Sequence, residues 1–166
     1  MLIYEKLLKR EIRLSKKFKK DNKIDIICLE SNSKDFSLNI IKNIDRKFNM
    51  NFKLNIKSYK YIEDIELIND SILILPIEGV FLSFLIYNYN KEEKYKYFIS
   101  KKNEFFYNIG YSLSEFYISK YLKKEPYVFT KEYEDLLKFI YDIVSSKEKF
   151  VFGIKDILEY LSKYYL

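Results

Sequence analysis

Histidine, tryptophan, alanine and glutamine are absent from the 166 residues, and the chain has one cysteine, two prolines and three glycines. Without histidine, and with Cys28 as the sole thiol, a zinc or iron site would have to be built from carboxylates, which such metals rarely accept alone. The same lack removes the usual general base of serine and cysteine nucleophiles. Three glycines leave no G-x-x-x-x-G-K-[ST] or G-x-G-x-x-G loop to cradle phosphates through backbone amides. One cysteine permits no internal disulfide, and no charged segment followed by an apolar stretch and a small-residue cleavage site is present, so the expected compartment is the cytoplasm. The most apolar stretch, residues 71–89, is broken by Pro76, Glu78 and Gly79 into pieces far shorter than the roughly 20 residues a bilayer requires. No metal, cofactor or membrane partner is expected.

What fills the chain instead is Ile, Lys, Asn, Tyr and Phe, the residues of adenine- and thymine-rich codons, with 17 Tyr and 14 Phe among them. This reads as the bias of an AT-rich microbe, or of its phage or another mobile element, rather than as an aromatic recognition surface. The aromatics fall mostly at core periodicity and do not mark a stacking platform for nucleic acid. A hydrophobic fraction of 48% with 33% charged residues suits a folded domain. The length suits one domain rather than two.

Positive charge is concentrated at one end. Residues 1–20 carry eight of the 30 basic groups and two of the 24 acidic ones, and the remaining 22 of each sign cancel, so the whole net charge of +6 lies in the first segment. Ile3, Leu7, Leu8, Leu14 and Phe18 recur there at roughly helical spacing, which predicts a basic amphipathic helix over residues 2–20. Lys9, Arg10, Arg13, Lys16, Lys17 and Lys20 are the candidate binding residues, with a protein or a nucleic acid as partner.

The segment 23–30 reads as a buried strand bounded by the polar cluster Ser31-Asn32-Ser33, which offers an N-cap to a helix over 34–48. Residues 51–59 alternate apolar and polar side chains like a strand covered on one face. A short helix over 61–69 and a strand over 71–77 follow. Strand, helix, strand, helix, strand with short links predicts a mostly parallel sheet. Beyond Pro76, residues 80–89 fit a buried helix or one arm of a hairpin, and 94–100 a further strand. Phe105, Phe106, Ile109, Leu113, Phe116 and Tyr117 predict a helix over 103–122, with Gly110 marking close packing. Helices over 130–146 and 153–166 complete the chain.

The fold expected is a three-layer α/β domain with a mostly parallel sheet of four or five strands, the alternative being α+β. It divides into a basic helix (1–22), an α/β core (23–100) and a helical cap (101–166). The acidic pairs Glu63-Asp64 and Glu134-Asp135 lie among lysines on polar helix faces and read as solvated surface.

One local pattern has chemical shape. In Cys28-Leu29-Glu30-Ser31-Asn32-Ser33 a thiol ends the first strand ahead of a helix N-terminus, where amides favour a thiolate or an anion held by Ser31 and Ser33. Residues 23–100 resemble the lactose- and cellobiose-type B components of the bacterial sugar phosphotransferase system and related regulator domains. The resemblance rests on Cys28 with Ser33 five positions on, and on Asp70 with Pro76 six positions on. It implies a phosphate-accepting Cys28, although the Gly usual in that family's phosphate loop is missing. The helix expected over 103–122 is similar to the active-site helix of zincin-type phage and plasmid regulators, with Gly110-Tyr111-Ser112-Leu113-Ser114 where H-E-x-x-H would stand. That likeness implies a catalytically dead regulator. The function expected is non-catalytic binding or regulation through the basic helix or the cap. Cysteine phosphotransfer and the degenerate zincin are the alternatives.

Overall fold

The computed structural model describes residues 1–165. Four strands form one all-parallel sheet in the order β2-β1-β3-β4, with β1 at Lys23–Leu29, β2 at Lys53–Tyr59, β3 at Ser71–Ile74 and β4 at Phe106–Asn108. Around them lie α1 (Leu2–Ser15), α2 (Asn32–Phe48), α3 (Ile77–Asn90), α4 (Glu93–Ile99), α5 (Glu115–Tyr121), α6 (Glu134–Ser146) and α7 (Lys149–Tyr164). β3 and the second half of β1 are buried at every residue, which an open sheet allows only when helices cover both faces. The three-layer α/β architecture follows.

Local chemistry sets the element ends. Ser31 caps α2 by accepting from the Lys34 amide at 3.0 Å. Ser114 caps α5 through the Tyr117 amide at 3.3 Å, and Thr130 accepts from the Tyr133 amide ahead of α6 at 3.2 Å. With so few glycines, Lys16, Asn49 and Lys91 close α1, α2 and α3 in the left-handed conformation that glycine usually supplies. Gly110 serves a different purpose. A Cβ there would lie 3.0 Å from the Leu75 nitrogen and 3.1 Å from its oxygen, because the chain leaving β4 is pressed against the chain leaving β3. The Asn108 side chain fastens the two, its Oδ1 accepting from the Leu75 and Gly110 amides and its Nδ2 donating to the Leu75 carbonyl.

Several expectations are corrected. Residues 94–100 are helix α4, not a strand: Tyr95, Phe98 and Ile99 are buried at helical spacing. Residues 103–122 are not one helix. They hold β4, an irregular passage and α5, and their apolar spacing arises because nearly all of 106–119 lies in the core. The sheet therefore extends into the segment read as a cap. Residues 80–89 take the helical alternative, in α3. The expected helix over 61–69 shrinks to a 3-10 turn at Ile62–Asp64. α1 ends at Ser15 and turns inward Tyr4, Leu8, Glu11, Ile12 and Ser15, leaving Ile3 and Leu14 exposed. Residue 166 of the last expected helix lies outside the described residues.

Candidate functional site

The carboxyl ends of the strands, where open parallel sheets hold ligands, are filled by the protein's own acids. Glu115, at the start of α5 and fully buried, points into the N-terminus of α2. Its Oε1 accepts from the Ser33 amide and hydroxyl, both at 2.9 Å, and its Oε2 from the Asn32 amide at 3.1 Å and the Asn32 side chain at 3.2 Å. Ser119 Oγ and the Tyr127 amide complete the cradle. Glu78, buried at the start of α3, does the same for α5, accepting from the Glu115 amide at 2.8 Å, the Phe116 amide at 3.1 Å and Ser114 Oγ at 2.7 Å. Burial pushes its carboxyl up to about 7, against the pull of those donors. Glu63 accepts from the Lys131 and Glu132 amides and from Thr130 Oγ1. Helix amides attract anions through orphan N–H groups and the helix dipole; Glu115 and Glu78 meet that demand at α2 and α5, while Glu63 accepts from amides of the turn that precedes α6.

Ser33 thus belongs to a built anion cradle whose occupant is Glu115, while the Ser31 side chain is engaged as the N-cap and donates to the Leu29 carbonyl. Cys28 is fully buried, with its Sγ 3.6 Å from the Lys57 carbonyl, and burial pushes the thiol up rather than toward the thiolate. Asp70 pairs with Lys17 ahead of β3, and Pro76 is the N-cap of α3. The passage Gly110–Ser114 is not helical, so the helix on which the zincin likeness rested is not formed. Among the described residues no three or more of Cys, Asp and Glu gather where a metal could be held. No described helix is long and apolar enough to cross a membrane.

The open site lies elsewhere, between α1 and α2. A groove of about 800 Å³ has Ile12, Phe18, Phe36, Ile40 and Ile44 along it, with Phe48 at one end 61% exposed. Lys9, Arg13, Lys16, Lys19 and Lys47 line the same groove, against Glu5 as the one acid. Among the described residues none of these five cations takes part in an ion pair. Of the six candidate binding residues, Lys9, Arg13 and Lys16 line the groove. Arg10 is exposed outside it, Lys17 is paired with Asp70, and Lys20 borders a shallow hollow with Asp21, Asp45 and Arg46. The contribution of α2, through Phe36, Ile40, Ile44, Lys47 and Phe48, was not foreseen in the sequence. The signal was Lys47-Phe48 beside a helix whose apolar residues exceed one face.

No family model, no curated protein and no solved structure matches the chain.

Proposed function

We propose that this protein is a non-catalytic binding module whose α1/α2 groove receives an acidic, amphipathic segment of a protein partner. The observation that carries this reading is the coincidence of unpaired cations with an apolar floor in one concave site. A helix laid in such a groove places its apolar residues inward and its acids against the rim. Nucleic acid asks for cations that reach phosphates and has little use for Phe36, Ile40 and Ile44. Cysteine phosphotransfer at Cys28 draws less support, because the thiol is buried and its protonated form favoured.

The test is capture from the source cell by the native protein and by a Lys9→Glu/Arg13→Glu/Lys16→Glu variant, with a photo-crosslinker at Asn43 on the groove wall. A protein held by the native form, lost by the variant, and crosslinked through a segment rich in Asp, Glu and large apolar residues supports the reading. Retention by the variant, or recovery of nucleic acid in place of protein, refutes it.

A further inference from the structure

α7 carries two apolar faces. Val151, Ile154 and Leu158 pack into the core, while Phe150, Gly153, Ile157, Tyr160 and Tyr164 are exposed, Ile157 at 60% and Tyr164 at 61%. The exposed set steps by three, four, three and four residues, which is the a/d rhythm of a coiled-coil seam. Asp156 and Lys163 stand along one side of it, at g positions; both are exposed, and among the described residues neither takes part in an ion pair. The seam is uneven. Gly153 has nothing within 4 Å of where a Cβ would stand, whereas the Tyr160 and Tyr164 rings lie together with centroids 4.8 Å apart.

A seam hollow at one end and bulky at the other fits a reversed copy of itself. Reversing one of two paired helices sets a residues opposite d residues and brings both g edges to the same side. With Ile157 facing Tyr160 of the second copy, Gly153 faces Tyr164, so the hollow receives the ring. In that register Asp156 lies beside Lys163 of the second copy, and by the two-fold symmetry the pair occurs twice. A shift of one heptad in one direction sets Asp156 against Asp156 and Lys149 against Lys163; in the other it sets Lys163 against itself. A parallel pair stacks Gly153 on Gly153 and leaves Asp156 beside Leu161, with no charge to meet. Size and charge therefore select the same arrangement. An anionic lipid surface, the other natural cover for an aromatic helix face, would meet Asp156 with like charge.

We infer that the exposed face of α7 is a homodimerisation surface, on which the α7 helices of two copies pair antiparallel with Ile157 against Tyr160 and Asp156 beside Lys163. The occupant is a second copy because the acid, the base, the hollow and the rings that complement one another all stand on this one face. No residue of α7 lines the α1/α2 groove, so the dimer and the groove's binding role stand or fall separately.

Sedimentation equilibrium of the full chain over a wide concentration range tests this, and the native protein is expected to show a reversible dimer. Ile157→Lys removes two apolar contacts per dimer from an exposed position, so it should weaken association by about a hundredfold and leave the circular dichroism spectrum of the monomer unchanged. Asp156→Lys and Lys163→Asp, each alone, turn two attractive pairs repulsive and should weaken the dimer by about tenfold at low salt. The double exchange Asp156→Lys/Lys163→Asp restores the pairs and should restore the affinity, which a parallel dimer or a general effect of charge would not do. With buried Cys28 left in place, a mixture of Gly153→Cys and Tyr164→Cys proteins should form the mixed disulfide faster than either links to itself. A native protein that stays monomeric at every concentration overturns the proposal, even if α7 then takes up anionic lipid vesicles or a helix of another protein. So does a dimer that persists in Ile157→Lys, a double exchange that fails to restore what the single changes lost, or self-linkage faster than mixed linkage.

Discussion

Glu115→Ala is the substitution with the largest consequence calculable from the structure. The side chain is fully buried and accepts from three backbone amides, those of Asn32, Ser33 and Tyr127, besides three side-chain donors. The side-chain donors can turn to other acceptors, but the amides of Asn32 and Ser33 are fixed in the first turn of α2. An unsatisfied buried donor costs about 1–3 kcal/mol. Allowing for water entering the space left behind, the loss should be about 4 kcal/mol, against a total stability of about 5–15 kcal/mol for a domain. Urea unfolding followed by circular dichroism measures it. Glu115→Gln keeps the volume but turns an NH₂ group toward N–H donors, and should cost about 2–3 kcal/mol. If the cradle is an anion site, acetate or formate should raise the urea midpoint of Glu115→Ala more than chloride does, and leave the native protein unaffected. A loss below about 1 kcal/mol for Glu115→Ala would refute the assignment of α2's N-terminal charge to this carboxylate.

The Glu78 carboxyl, raised by burial to about 7 from 4.5, holds its proton more tightly folded than unfolded. Its contribution is therefore fully present below the unfolded value and is lost as pH rises through 7, by at most about 1.4 kcal/mol per pH unit. Glu78→Gln should flatten that slope in urea midpoints measured across this range. Gly110→Ala forces a Cβ against the Leu75 backbone and should destabilise by about 1–3 kcal/mol. Gly153→Ala, inside α7 with nothing within 4 Å, should stabilise by about 1 kcal/mol in the same assay. Cys28 should resist aromatic disulfide reagents in the folded protein and react only at the rate of unfolding, a result that rapid native labelling would contradict.

The segments that the sequence made legible are those where burial changes along the chain. β1 and β3 are apolar runs between polar clusters, and α2 follows an N-cap serine, so the parallel core could be placed from these signals. Between 94 and 122 the signal fails for the opposite reason. Residues 108–115 are all buried, so apolar spacing carries no phase, and a strand, a loop and a short helix together mimic one long helix. Tyr95, Tyr97 and Ile99 alternate as a strand would, yet Phe98 is buried between them and α4 is helical. The anion cradle was visible only as Ser31 and Ser33, because its occupant is 82 residues away from Ser33 in sequence. One signal did exist for Glu78: a carboxylate standing in the otherwise largely apolar stretch from Ile72 to Leu82 has to be satisfied internally. The groove needed both helices, and α1 was read with a different inward face, so its floor could not be assembled from periodicity.

The placement of the acids bears on how the groove works. Glu78 and Glu115 have no lysine or arginine within ion-pair distance among the described residues and are satisfied by amides and hydroxyls, while Glu11 is drawn under α1 to Lys101 and Tyr107. Acids that could have neutralised surface lysines are held inside, and the cations of the groove stay unopposed at contact range, where screening is incomplete. At longer range the proposed acidic partner would respond to the net charge of +6. These two distances predict different kinetics for two kinds of change. Charge reversal at Lys9, Arg13 and Lys16 should slow association and reduce its salt dependence, because steering depends on the summed field. Phe48→Ser removes an exposed aromatic at the groove's end without altering charge, so it should leave association nearly unchanged and speed dissociation by about tenfold. Stopped-flow measurements with the captured acidic segment separate the two. If Phe48→Ser and the charge reversal shift the same rate constant in the same way, the division into a steering rim and an anchoring floor is wrong.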